Sequence, residues 1–294
     1  MTASFGERLD AAFAGFGQLC VGIDPHPYLL AEWGLSDSAE GAREFGLRVV
    51  DAVAGRAGIV KPQVAFFERH GSEGFRALED VLDAARRAGI LVIADVKRGD
   101  LGTSVEAYGQ AWLTPGSPLE ADAMTAVAYQ GTASLEAPMT LAERAGKGVF
   151  VLAATSNPEG VQLQRARRAD GLTVAAGIVG DVTGWNARHA GEPTADPTGS
   201  VGSGPAGLGS IGLVLGATVD FADYGIDLAA LGRTPVLAPG FGHQGAAYSR
   251  LGSLYGPAAP HAVVSASRSI LSAGPGGVAQ AVAAQAAEVR ECRG

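Results

Sequence analysis

Cysteine is nearly absent: Cys20 and Cys292 are the only two in 294 residues. They stand far apart and without metal-ligand spacing, which excludes a disulfide framework or a thiolate metal cluster. Cys20 lies in the apolar run Leu19-Cys20-Val21, where a thiol acts as a small core side chain rather than a nucleophile. Basic residues are also short, 22 Lys and Arg against 30 Asp and Glu, for a net charge of −8. That balance argues against nucleic acid or an acidic membrane surface as partner, and an anionic substrate would need a local positive site. No apolar run reaches the roughly 18 residues of a membrane span. The first residues, Met-Thr-Ala-Ser-Phe-Gly-Glu-Arg, lack the apolar core of a signal peptide. A cytoplasmic location is expected. Histidine is sparse as well, and His26, His70 and His243 have no companions at metal-ligand spacing, so each reads as a structural or loop residue.

What is present is a large apolar fraction, 47%, and 43 glycines. Short apolar runs alternate with helical patterns. Strands are expected at 18–23, 58–64, 90–95, 121–128, 148–156, 211–218, 234–239 and 261–267. Helices are expected at 7–16, 38–53, 72–88 with Ser72 as cap, 104–113, 134–145, 173–189, 219–231 and 278–290. Asp220 and Asp223 are placed to begin one of them. Eight strands alternating with helices over about 250 residues predict a (β/α)8 barrel, whose sites gather at the C-terminal ends of its strands. Residues 1–294 read as a single barrel domain. The Gly- and Pro-rich stretch 191–209 reads as a flexible surface loop within it, because the alternation resumes afterwards.

The chain is organised around residues 90–100, Ile-Leu-Val-Ile-Ala-Asp-Val-Lys-Arg-Gly-Asp. An apolar strand ends abruptly in Asp95 and Lys97, which project to one face, with Asp100 beyond the Gly99 turn. Lys61 stands inside the neighbouring apolar run, Asp24 at the exit of the first strand, Ser156 after the fifth, Gln244 after the seventh and Arg268 after the eighth. In a barrel these converge on one mouth from six strands. Arg268 and the backbone amides of Gly240-Phe-Gly-His-Gln-Gly245 form a candidate phosphate site after the last two strands. Glu68, which follows Phe66 and Phe67, is either a support for Lys61 or a surface residue.

Asp95-Val-Lys97-Arg-Gly-Asp100 resembles the Asp-x-Lys-x-x-Asp signature of orotidine 5′-phosphate decarboxylases and of related sugar-phosphate decarboxylases. Gly22-Ile-Asp24-Pro25, Lys61-Pro-Gln-Val-Ala-Phe-Phe-Glu68, Thr155-Ser-Asn-Pro158, Val214-Leu-Gly-Ala-Thr218, Pro239-Gly-Phe-Gly-His-Gln-Gly245 and Ser267-Arg-Ser-Ile270 narrow the resemblance to the divergent bacterial (type 2) group of the former, also found in actinobacteria. The matches run from first strand to last. The resemblance implies decarboxylation of orotidine 5′-phosphate to UMP in pyrimidine biosynthesis, with no cofactor and no metal. It makes Lys97 the proton donor to C6 and sets Asp95 against the substrate carboxylate, with Lys61 and Asp100 completing an alternating charged network. Asp100 would reach in from the second subunit of a homodimer. Asp24 would bind ribose, Ser156 the pyrimidine, Gln244 and Arg268 the phosphate, and Ser104 would lie near the ribose of the partner's site. One departure stands out. Val127-Ala128-Tyr129 replaces the family's frequent Asn-Pro-Tyr.

The chemistry agrees with these residue types. Decarboxylation without an electron sink leaves a carbanion at C6, which a pre-placed cation stabilises and a lysine can protonate. Arginine would be a poor donor because its pKa lies far higher. Three rival readings remain. A Mg²⁺-dependent sugar-phosphate decarboxylase or aldolase would favour an acid where Lys61 stands. In a Schiff-base aldolase using Lys97, the flanking carboxylates would oppose nucleophilic chemistry. A barrel that only binds nucleotides or partner proteins has little need of a lysine buried between acids.

Overall fold

A computed structural model describes residues 3–189, 207–242 and 245–292. Eight strands close into a barrel in sequence order: β1 (Leu19–Ile23), β2 (Ile59–Pro62), β3 (Leu91–Arg98), β4 (Ala123–Val127), β5 (Gly148–Ala154), β6 (Ile211–Leu215), β7 (Val236–Pro239) and β8 (Ala262–Ala266). Every neighbouring pair is parallel, and β1 pairs with β8 to complete the ring. This is the expected (β/α)8 barrel.

The long helices are α1 (Phe5–Phe16), α2 (Ala39–Val53), α3 (Gly71–Arg87), α4 (Gly102–Leu113), α5 (Glu136–Ala145), α6 (Val174–Arg188) and α7 (Gly274–Glu291). Strand residues alternate between two cores. Outward side chains such as Val21, Val60, Val92 and Met124 meet the helices, while Cys20, Ile59, Ile93, Ala123, Phe150, Val214, Leu237 and Val263 fill the barrel interior. Burying each large apolar side chain contributes roughly 1.5–3 kcal/mol. Gly212 makes room inside, since a Cβ there would lie 2.4 Å from the Phe150 ring.

The bottom of the barrel is closed by α1. Ser4 and Glu7 form a reciprocal capping box that starts the helix. The helix then lays Phe5, Leu9 and Phe13 against the interior core. With α1 packed under the apolar interior, the charged cavity opens at the other end. Along the inward rows, apolar residues below give way to polar ones above: Ile59 to Lys61 on β2, Ile93 to Asp95 on β3, Ala123 to Thr125 on β4, Val263 to Ser265 on β8.

Some local expectations are corrected. Residues 219–231 form no α-helix but two 3₁₀ turns, Phe221–Tyr224 and Leu228–Leu231, whose starts are capped by Asp220 and Asp227. Gly225, at φ +66°, ends the first turn before a helix can propagate. Ser72 does not cap α3, which begins one residue earlier behind His70. Residues Thr132–Leu135 form a 3₁₀ turn that leads into α5. Most of the loop expected at 191–209 lies outside the described residues; its end is held where the Leu208 N–H donates to Asp10 at 2.9 Å.

Candidate active site

A cavity of about 300 Å³ opens at the C-terminal ends of the strands, lined among others by Asp24, Lys61, Asp95, Lys97, Thr125 and Arg268. Its floor is apolar, made by Leu152, Val214 and Leu237. Lys61 enters from β2 and Asp95 from β3 as the inward residues of adjacent parallel strands.

Asp95 is the hub. Its Oδ2 accepts from Lys61 Nζ at 3.0 Å and from Gln63 Nε2 at 3.1 Å. Its Oδ1 accepts from Lys97 Nζ at 2.6 Å and from Thr125 Oγ1 at 2.9 Å. A carboxylate offers about four lone-pair directions, so all are occupied. Burial alone would raise the Asp95 pKa, but Lys61 and then Lys97 outweigh it and hold the carboxyl well below its usual range. Burial likewise opposes the charge on Lys61, and the carboxylates of Asp95 and Asp24 overcome it, raising its pKa above that of an ordinary lysine. The two lysines differ in access. The Lys61 side chain is 10% exposed and the Lys97 side chain 45%, so Lys97 is the cation that a molecule in the cavity can reach.

Lys97 has φ +47°, the one non-glycine residue with positive φ among the described residues. That left-handed conformation costs an L-residue roughly 1–2 kcal/mol. It coincides with a shift in the β3–β4 register between Ala94 and Arg98, which takes Lys97 out of the regular ladder. The Lys97 N–H donates instead to Thr125 Oγ1 at 2.9 Å.

The other expected site residues divide. Asp24 lines the cavity, with a buried Oδ1 that has no hydrogen-bond partner among the described residues. Arg268 begins the short helix after β8 and faces the same cavity. Gln244 lies outside the described residues. Ser156 is exposed and off the cavity wall, where its neighbour Thr155 stands instead. Ser104 is exposed on α4, away from this chain's cavity, because its side chain follows the helix face opposite Val105 and Gly109. Asp100 does not join the hub within one chain; its Oδ1 accepts from the Leu101 N–H at 2.9 Å. Three of the four expected network members therefore meet, and the turn after β3 carries the fourth away. Glu68 is not beside Lys61, for it pairs with Arg98 at 2.7 Å.

Several polar residues of the site were not singled out from sequence. Thr125 and Gln63 bind Asp95, Ser265 lines the cavity from β8, and Ser267, whose buried Oγ has no partner among the described residues, lines it beside Asp24. Gly22 permits that last approach, as a Cβ there would come within 2.7 Å of Ser267 Cβ. Period-two alternation from Lys61 and Asp95 would have pointed to Gln63, and the inward row of β4 to Thr125. His26 packs against Phe66 at 4.2 Å between ring centres, in keeping with a structural histidine.

Residues 17–282 match the sequence model of the orotidine 5′-phosphate decarboxylase / HUMPS family. The chain is 47% identical over 290 residues to the orotidine 5′-phosphate decarboxylase of Salinispora arenicola, covering 99% of this chain and 97% of that one. A crystal structure from Streptomyces avermitilis, provisionally named orotidine 5′-phosphate decarboxylase, superposes with a TM-score of 0.89 at 42% identity, covering 99% of this chain and 96% of the other. The Leishmania donovani OMP decarboxylase gives a TM-score of 0.75 at 27% identity, over 99% and 98% of the two chains.

Proposed function

The chain belongs to the orotidine 5′-phosphate decarboxylase / HUMPS family, and from that premise we propose that it converts orotidine 5′-phosphate to UMP and CO2 in pyrimidine biosynthesis, without a cofactor, in the cytoplasm. The observation that carries the reading is the Lys61–Asp95–Lys97 array at the wall of an otherwise apolar-floored cavity.

The C6–carboxylate bond breaks heterolytically, CO2 departs and the electron pair stays on C6. Lys97 Nζ then transfers a proton to C6, and solvent restores the ammonium. A cation placed beforehand at the developing charge stabilises the transition state without reorganisation during the reaction. Asp95, saturated by four donors, has no free lone pair for the substrate. It orients Lys97 and sets negative charge beside the departing carboxylate; Lys61 compensates that charge from behind. Asp24 takes ribose hydroxyls through its unpartnered Oδ1, Ser156 the pyrimidine, and Arg268 and Gln244 the phosphate. Arginine suits that last role because its planar fork binds phosphate bidentately. The enzyme acts as a homodimer in which Asp100 of each subunit completes the charged network of the other, with Ser104 near the partner's ribose site.

Following the loss of orotidine 5′-phosphate absorbance tests the reading. Turnover by the wild-type protein, undiminished in excess EDTA, and its loss in Lys97→Ala are expected. No turnover, or equal activity in the two proteins, overturns it. Mixing Lys97→Ala with Asp100→Ala tests the shared site: recovered activity is expected from a heterodimer, and none counts against it.

A further inference from the structure

We propose that Thr125 is a positioning residue for the proton donor: its single hydroxyl ties the Lys97 backbone to the Asp95 carboxylate, so that both are set before substrate arrives. The inference rests on the role given to Lys97 above.

Where the β3–β4 register shifts, the Lys97 N–H has lost its place in the ladder and takes another acceptor. A threonine hydroxyl has one proton and two lone pairs. Thr125 directs the proton to Asp95 Oδ1 at 2.9 Å and accepts the Lys97 N–H at 2.9 Å. Asp95 Oδ1 in turn accepts from Lys97 Nζ at 2.6 Å. Backbone amide, hydroxyl, carboxylate and ammonium thus form a closed ring that includes the reacting nitrogen.

Two features make the hydroxyl more than filler. Lys97 sits at φ +47°, which a lysine does not hold without external restraint, and the Thr125 hydroxyl is the group that receives the amide in that conformation. Thr125 is also only 1% exposed and fixed on a regular strand, and a β-branched side chain there is stiff at χ1. A rigid strand therefore restrains a strained bulge. Serine preserves the hydroxyl, whereas valine preserves the shape and removes it.

The test compares Thr125→Val and Thr125→Ser in the full-length protein. Misplacing a catalytic group by an ångström costs about 10²-fold in rate, so kcat for orotidine 5′-phosphate is expected to fall by roughly that factor in Thr125→Val. KM should change less than about threefold, because the hydroxyl contacts other site residues rather than substrate. Thr125→Ser should restore kcat to within about threefold of wild type. Amide hydrogen exchange gives a readout independent of turnover. The Lys97 N–H should exchange about tenfold faster in Thr125→Val, the loss expected of one hydrogen bond, and at the wild-type rate in Thr125→Ser. Retained kcat in Thr125→Val, or equal loss in Thr125→Ser, overturns the proposal. So does an unprotected Lys97 amide in the wild type, whether or not it turns over orotidine 5′-phosphate; absence of turnover with that amide protected by Thr125 instead overturns the decarboxylase reading alone. Thr125→Ala serves the same comparison if the valine variant does not fold.

Discussion

Two clusters of buried charge lie at opposite ends of this barrel, and they differ in what they face. At the N-terminal end, Asp122 accepts from Arg8 at 2.5 Å and from the Val92 N–H at 2.8 Å, with Lys147 3.6 Å away. Lys147 also binds Glu120 at 2.7 Å, and Arg8 donates to the Gly146 carbonyl at 2.6 Å. Burial would raise the Glu120 pKa, but the hydrogen bonds from Lys147 and the Gly116 N–H lower it. These bonds sew α1 onto the strand starts. At the C-terminal end, Lys61, Asp95 and Lys97 form a network of comparable density, yet they border a cavity, include a left-handed lysine and stand beside the unpartnered Asp24 Oδ1 and Ser267 Oγ. A buried ion pair by itself marks neither stability nor catalysis. The lower cluster leaves one donor, Arg8 Nε, without a partner among the described residues, while the upper one leaves two acceptors and a reachable cation at a cavity for something that is not protein.

That contrast can be broken experimentally. The largest expected effect is on activity at the upper end: Lys97→Ala removes both the cation and the proton donor and should lower kcat on orotidine 5′-phosphate by on the order of 10⁴-fold or more, with the circular dichroism spectrum retained. A loss below about a hundredfold would place the proton donor elsewhere. At the lower end, Asp122→Ala takes the carboxylate from Arg8 and the acceptor from the Val92 N–H, and should cost about 1–3 kcal/mol in urea unfolding, with kcat per folded molecule unchanged. A comparable fall in kcat would erase the division between the clusters.

The next effect concerns pH. Asp95 is held below its usual range, so its contribution is fully present above the unfolded value of about 3.9 and is lost as pH falls toward the folded value. The stability gap between wild type and Asp95→Asn should therefore narrow by about 1–2 kcal/mol between roughly pH 6 and pH 3. A gap independent of pH in that window would mean that the charge on Asp95 is not what Lys61 and Lys97 stabilise. Lys61 has the opposite sign. Its pKa is raised, so its contribution is complete below about pH 10.4 and declines as pH rises beyond that. The smallest effect belongs to Glu68→Gln, which breaks a partly exposed pair with Arg98 and should cost under about 1 kcal/mol. A large loss of kcat would draw Glu68 back into the site.

Lys61, Asp95 and Lys97 were legible because charge inside an apolar run is conspicuous and strand periodicity assigns its face. Asp24 and Arg268 followed from the same rule at strand exits. Thr125 was not, since threonine is an ordinary strand residue whose meaning here depends on a register shift in the neighbouring strand. Ser156 stands one residue past Thr155, which lines the cavity. A strand end does not reveal where the backbone leaves the ladder. The 219–231 helix failed for a local reason, because aspartates at 220 and 227 cap turns more readily than they extend a helix.

By itself the sequence determined the alternation of eight strands with helices, the closure that alternation implies and the identity of three members of the charged array, because side-chain period and burial cost are local properties of the chain. Only the tertiary structure decided that Asp95 receives four donors, that Lys97 adopts a left-handed conformation and that Asp100 turns away from its own chain's hub. Those depend on distances between strands that are far apart in sequence, and on the register in which two of them meet.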